Sequence, residues 1–147
     1  MAFDKAVIKR LAAEEFTDEM FGWIPRQVSV QQKWPRPFNA DHFFNWARQL
    51  MDADFLQVYA TEGCIIGLMI FPHPFTGLKD GVISFWWSAG DPRSTELWKY
   101  VELKARQAGC ERIATSVYGS VNADKIARLY RMKGLELSEQ SFVKFLR

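Results

Sequence analysis

Three strand-like runs follow one another between residues 55 and 88 with no helix between them, and this excludes more folds than any other feature of the chain. Phe55–Thr61 alternates Phe55, Gln57 and Tyr59 on one side with Leu56 and Val58 on the other, the period-two pattern of a half-buried strand. Cys64–Phe71 is almost wholly apolar, as suits a strand covered on both faces. Gly81–Ser88 is β-branched and aromatic. Glu62-Gly63 joins the first two runs as a tight hairpin, and Pro72–Asp80 supplies a longer Pro/Gly loop. A doubly wound nucleotide-binding fold would repeat βα units from its start. A meander followed by alternating helices and strands instead predicts an α/β (α+β) mixed sheet with helices on both faces.

The flanking segments complete that order. Ala6–Leu11 reads as a short strand, and about Ala12–Trp23 as a helix whose Ala13, Phe16, Met20 and Trp23 or Ile24 form an apolar stripe until Pro25 interrupts it. Gln27–Phe38, with Pro35 and Pro37, reads as a loop. Asn39 has the character of an N-cap with Asp41 in the first turn, and Phe43, Trp46, Ala47, Leu50 and Met51 then repeat at amphipathic helical spacing and are expected in the core. Ser94 caps a helix to Ala108, carrying Leu97, Val101, Ala105 and Ala108 on one face, and Gly109 is a suitable C′ residue. Arg112–Val117 is a strand. Asn122 opens a helix with Ala123, Ile126, Ala127 and Tyr130 on one side, and Gly134 ends it. Leu135–Leu137 and Ser141–Leu146 read as a closing strand pair. The predicted order is β-α-α-β-β-β-α-β-α-β-β in one domain over 1–147.

Several chemistries are excluded by what the chain lacks. It has no GxxxxGK[ST] loop, no GxGxxG fingerprint, no GxSxG elbow, and no HExxH or Cys/His spacing for a metal. Cys64 and Cys110 stand in apolar settings and read as buried free thiols. The net charge of +2 argues against nucleic acid as a partner. No apolar run approaches the ~20 residues that span a bilayer, and the N-terminal residues lack a signal core, so a reducing cytoplasm is the expected setting. The aromatic load is high, at 12 Phe, 6 Trp and 4 Tyr. Such a surplus points to a protein partner or a homo-oligomer through exposed rings, with Trp34 in Lys-Trp-Pro-Arg-Pro-Phe the hardest to bury.

The segment Asn122-Ala-Asp-Lys-Ile-Ala-Arg-Leu-Tyr130-Arg-Met-Lys-Gly134-Leu135 resembles the "N…A…lY.k.GF" stretch of the GCN5-related N-acetyltransferase (GNAT) family, with Leu135 where Phe is usual. The stretch before it, Leu97–Ile113, is similar to that family's cofactor-binding helix and following strand, and the element order matches over nearly the whole chain. The resemblance implies acetyl-coenzyme A as co-substrate and a primary amine as acceptor. It implies that the strands around Trp86 and Thr115 part, leaving a slot in which the cofactor lies. Phe85, Trp86, Trp87 and Ser88 would then form the splayed edge. Gly90, Arg93, Ser94 and Thr95 would form the phosphate site at a helix N-terminus. Asn122 would orient the pantetheine arm, and Tyr130 would protonate the leaving thiolate. Read from the residues alone, Asn122 is equally an N-cap, and Tyr130 equally a ring packed on an apolar helix face.

The phosphate loop departs from the family pattern of Arg/Gln-x-x-Gly-x-Gly/Ala. In Ser88-Ala-Gly90-Asp91-Pro92-Arg93-Ser94-Thr95, Gly90 is the only glycine, Pro92 removes a donor, and Asp91 adds a negative charge where phosphates would sit. Arg93 offers compensation. For a general base the candidates are His73, held between two prolines, together with Asp80, Glu62 and Glu111; His42 reads as a surface residue. Two functions follow. One is acetyl transfer to an amine. The other, favoured by the altered loop and the aromatic surplus, is a GNAT-shaped binding or assembly module without catalysis, such as a viral or particle-associated structural protein.

Overall fold

The computed structural model describes residues 7–31, 37–90, 92–116, 123–138, 144 and 146. The chain enters through β1 (Lys9–Arg10) and a 3-10 turn (Ala13–Glu15), followed by α1 (Asp18–Phe21), α2 (Trp23–Gln31) and α3 (Ala40–Asp52). The meander β2 (Leu56–Ala60), β3 (Cys64–Pro72) and β4 (Lys79–Ser88) comes next, then α4 (Ser94–Gln107), β5 (Arg112–Ala114) and α5 (Ala123–Met132). The five strands lie in the order β1-β2-β3-β4-β5. The first four are antiparallel neighbours, and β5 runs parallel to β4, so the sheet is mixed.

Local chemistry explains most boundaries. The Thr61 N–H donates to the Cys64 carbonyl at 2.9 Å, which closes the expected hairpin over Glu62 and Gly63. Asn39 Oδ1 accepts from the His42 N–H at 3.0 Å and caps α3. Two helices end in Schellman motifs on glycines at positive φ. Gly109 (φ 87°) and Cys110 donate to the carbonyls of Arg106 and Ala105, while Gly134 (φ 84°) and Leu135 donate to those of Arg131 and Tyr130.

Four expectations are corrected. The stretch from Gln27 to Gln31 is helical, because Pro25 occupies the third position of α2, inside the first turn, where backbone N–H groups have no intrahelical partner to lose. The expected helix over Ala12–Trp23 breaks into the 3-10 turn and α1, since Thr17 caps a new start by accepting from the Met20 N–H. Trp46 is 36% exposed, and Phe44 takes the fully buried position on α3 beside Ala47. Leu135–Leu137 is not a strand; residues 139–143 and 145, which hold most of its supposed partner, lie outside the described residues, as does Trp34.

The sheet separates two apolar layers. On one face Phe16, Phe21, Ile24, Val28 and Phe44 pack on Val58, Ile65 and Phe85. On the other, Leu97, Trp98, Val101 and Ala105 of α4 pack on Ile66, Leu68 and Ile83. No helix among the described residues is long and apolar enough to cross a membrane. Cys64 is fully buried, and partial burial pushes the Cys110 thiol above its ordinary pKa.

Candidate functional site: a bulged strand and a stack of three rings

Two features of β4 build the site. The first is a bulge. Gly67 of β3 pairs with Phe85 while the next residue, Leu68, pairs with Ile83, so Ser84 has no residue opposite it. One extra residue reverses which face each later side chain takes. Gly81 and Ile83 lie on the α4 face, yet beyond the bulge it is Trp86 that joins that layer, and Phe85 and Trp87 join the opposite one. Phe85 fits there because Gly67 opposite it has no side chain.

The second feature is the β4–β5 ladder. Among the described residues, pairing covers Asp80–Val82 against Arg112–Ala114. The following stretch of β4, Ile83–Ser88, carries on pairing with β3, and residues 117–122, which follow β5, lie outside the described residues. The paired end is fastened by Asp80, whose side chain is 4% exposed and takes the Arg112 guanidinium in a two-pronged pair at 3.0 to 3.1 Å. That pair locks the two strands together at this end.

Trp86 stands farther along β4, beyond the bulge. Its indole stacks on Trp98 of α4 (centroids 5.0 Å, interplanar angle 15°) and on Tyr130 of α5 (5.7 Å, 12°). Its Nε1–H donates to Ser94 Oγ at 3.2 Å, in the first turn of α4. Lys133, one helical turn after Tyr130, holds its ammonium 5.7 Å from the Trp86 ring centroid and 3.4 Å from Thr95 Oγ1. Burial, with repulsion from Lys99 as the lesser cause, draws the Lys133 pKa below the ordinary lysine value.

The start of α4 supplies backbone donors. Arg93, not Ser94, is the N-cap, and its side chain makes no capping bond, so the first-turn N–H groups of Ser94, Thr95 and Glu96 face outward from the helix end. Arg93 is tied to Glu96 at 3.0 Å, which places a carboxylate beside those donors. Gly90 has a φ of 86° and nothing within 4 Å of where a Cβ would stand. Its N–H donates to Ser88 Oγ at 3.2 Å.

The structure therefore gathers Trp86, Ser94, Thr95 and Tyr130 into one group, with Arg93 on the same helix end. Phe85 and Trp87 instead join an aromatic layer with Phe43 on the opposite face, their rings stacked at 5.1 Å. Asn122 lies outside the described residues. His73 sits at the β3–β4 turn, where its Nδ1 accepts from the Phe75 N–H at 3.1 Å. Seven residues of β4, at about 3.3 Å each, put it roughly 23 Å from Trp86 along the strand. Asp80 is held by Arg112 and Glu111 is exposed before β5, both at the His73 end of β4, while Glu62 is exposed in the β2–β3 turn. Trp98 and Lys133 were not anticipated. Lys133 was accessible through its i, i+3 spacing from Tyr130, whereas Trp98 carried no signal that set it apart from an ordinary core residue.

Solved structures match this architecture along its length. A ribosomal-protein-alanine N-acetyltransferase from Brucella melitensis biovar Abortus 2308 superposes with a TM-score of 0.70 at 15% identity, covering 95% of this chain and 99% of that one. The fold is that of the GNAT acetyltransferases. An aminoglycoside 6′-N-acetyltransferase from Acinetobacter haemolyticus gives a TM-score of 0.67 at 12% identity, covering 96% and 98% of the two chains. A glucosamine-6-phosphate N-acetyltransferase from Arabidopsis thaliana gives 0.65 at 13% identity, with 96% and 98% covered. No protein-family model matches the sequence, and no curated protein matches it. The three named acceptors are a protein, an antibiotic and a sugar phosphate, so the GNAT fold leaves the acceptor open.

Proposed function

We propose that the chain transfers an acetyl group from acetyl-coenzyme A to an amine. The observation that carries this reading is the meeting of the first turn of α4 and the Tyr130 ring around Trp86, on a GNAT fold. An extended, amide-bearing cofactor arm can run along the β4 edge to that group. At the end of the same edge, the first-turn N–H groups of α4 form an anion-accepting terminus suited to a pyrophosphate. Acetyl-coenzyme A, when bound, supplies the activated thioester. The chain's own part is to hold the arm along β4, exclude water with the Trp98 ring, and deliver a proton from the Tyr130 phenol to the departing sulfur.

The test is direct. Millimolar acetyl-coenzyme A should raise the melting temperature, and a panel of primary amines should release free coenzyme A thiol in a colorimetric assay. Tyr130→Phe should lower kcat by about 10²–10⁴-fold and leave the chain folded. A melting temperature that ignores the cofactor sinks the proposal.

One set of contacts favours a second reading, a non-catalytic module. Glu96 neutralises Arg93, and Trp86 lies against Tyr130. A chain that ignores acetyl-coenzyme A yet elutes as a stable oligomer on size-exclusion chromatography would establish that reading instead.

A further inference from the structure

We propose that Trp86 is a built-in latch: its indole fills the space between α4 and α5 that acetyl-coenzyme A needs, and the cofactor binds only when that indole swings out. The proposal rests on the acetyl-transfer reading above. It adds an autoinhibitory contact that the reading does not require.

The contacts that close the gap converge on one side chain. Trp86 stands on β4 four residues beyond Val82, and the bulge at Ser84 turns it toward the α4 layer. There it touches both helices at once, stacked on Trp98 of α4 and on Tyr130 of α5. Its Nε1–H engages Ser94, in the turn whose backbone donors would take the phosphates. Lys133 reaches over the same ring to Thr95, a second tie between the two helices at the same place. With Trp86 in this position one face of the Tyr130 ring is covered, so a thioester cannot approach the phenol from that side.

The two anchors of the stack differ in how firmly they are held. Trp98 is only 4% exposed and sits within the α4 layer, whereas Trp86 and Tyr130 are half-buried. Of the two half-buried rings the latch assigns the movement to Trp86, whose Nε1–H is the one tied to the α4 terminus. Its side chain can leave while its backbone stays paired with Ile66 of β3, so the β4 edge offered to the cofactor survives the opening. In the closed state Ser94 and Thr95 spend their hydroxyls on Trp86 and Lys133; in the open state both are released toward the ligand.

Binding of acetyl-coenzyme A to the wild-type chain and to Trp86→Leu, measured by calorimetry, tests the latch. Removing the indole should tighten binding by at least about tenfold, or 1.4 kcal/mol. In the wild type, the stacked Trp86–Trp98 pair should give a coupled-indole circular dichroism band that disappears as the cofactor is added. Trp98→Phe assigns that band by abolishing it. Should the leucine variant melt early, Trp86→Phe, which keeps a ring but loses the Ser94 bond, carries the affinity test, and the wild-type band needs no variant at all. Equal affinity in wild type and variant, with the band retained in the bound state, overturns the latch and leaves acetyl transfer standing. No binding to either folded chain overturns acetyl transfer and the latch together.

Discussion

Gly67→Ala is the sharpest test of the packing that sets the site. An alanine Cβ at this position would lie 2.5 Å from Phe85 Cζ and 2.6 Å from Cε1, about 0.9 Å inside the 3.4 Å at which ordinary contact begins. The ring has little room to yield. It is 5% exposed and is hemmed in by Phe16 at 6.0 Å, Phe43 at 5.3 Å and Trp87 at 5.1 Å. Overpacking of an enclosed core costs about 1–3 kcal/mol, and the enclosure places this case in the upper part of that range. Replacing glycine also restricts the unfolded chain, which returns about 0.4–1 kcal/mol. A net loss of about 2 kcal/mol is expected, or roughly 4–8 °C in melting temperature for a chain of this size. Urea unfolding should show a lower midpoint at unchanged slope. Phe85→Val supplies the control, because on that background the new methyl has space and Gly67→Ala should be nearly neutral. A double-mutant cycle with coupling below about 0.5 kcal/mol would refute the argument that Phe85 alone excludes a side chain at Gly67.

Three further outcomes are expected. Asp80→Asn, which breaks the ion pair with Arg112 while keeping its shape, should cost about 1–3 kcal/mol in urea unfolding and speed amide exchange in β5, because the half-exposed Arg112 can turn to water but the buried position cannot. Gly134→Ala forces alanine to φ 84° and should destabilise the end of α5 by roughly 1–2 kcal/mol, read as faster exchange of the Leu135 N–H that bonds the Tyr130 carbonyl. Glu15 has its pKa lowered, first by a hydrogen bond from Lys9 and then by the Ala12 N–H, so its stabilising contribution is complete above the unfolded value near 4.5 and is lost as pH falls through the lower folded value. Glu15→Gln should therefore reduce stability at neutral pH and flatten the acid limb of a melting-temperature profile.

The meander was legible because each strand carries its own evidence: alternation in β2, continuous apolarity in β3, branched and aromatic residues in β4. Helix ends were legible where one side chain decides them, as at Asn39, Gly109 and Gly134. Errors fell where two signals competed. Pro25 reads as a helix breaker, yet it is harmless in the first turn of α2, and nothing in the residues before it marks Trp23 as that turn's start. On α3, Phe43 and Phe44 are adjacent and aromatic, so periodicity alone cannot say which enters the core. Packing against Phe16 brings both rings close, at 5.8 and 5.0 Å, but buries only Phe44 fully.

The candidate site was legible as a neighbourhood but not as a geometry, and the bulge is the reason. Strict alternation from Gly81 and Ile83 would send Phe85 and Trp87 toward α4 and leave Trp86 on the opposite face, away from Tyr130. The unpaired Ser84 inverts that arrangement, and no local property of Ser84 announces it. Placement of Trp86 against Tyr130 then joins two readings of the tyrosine that the sequence sets apart. A ring packed in an apolar layer and a phenol facing a reactant are alternatives only if the neighbour is permanent. Trp86 holds its place through two ring contacts, one hydrogen bond and the Lys133 ammonium over its ring, each worth about a kilocalorie per mole, and under the proposed latch a ligand that engages the β4 edge and the α4 terminus together would displace it. Packing in the closed state and chemistry in the open one would then be successive roles of the same Tyr130 side chain.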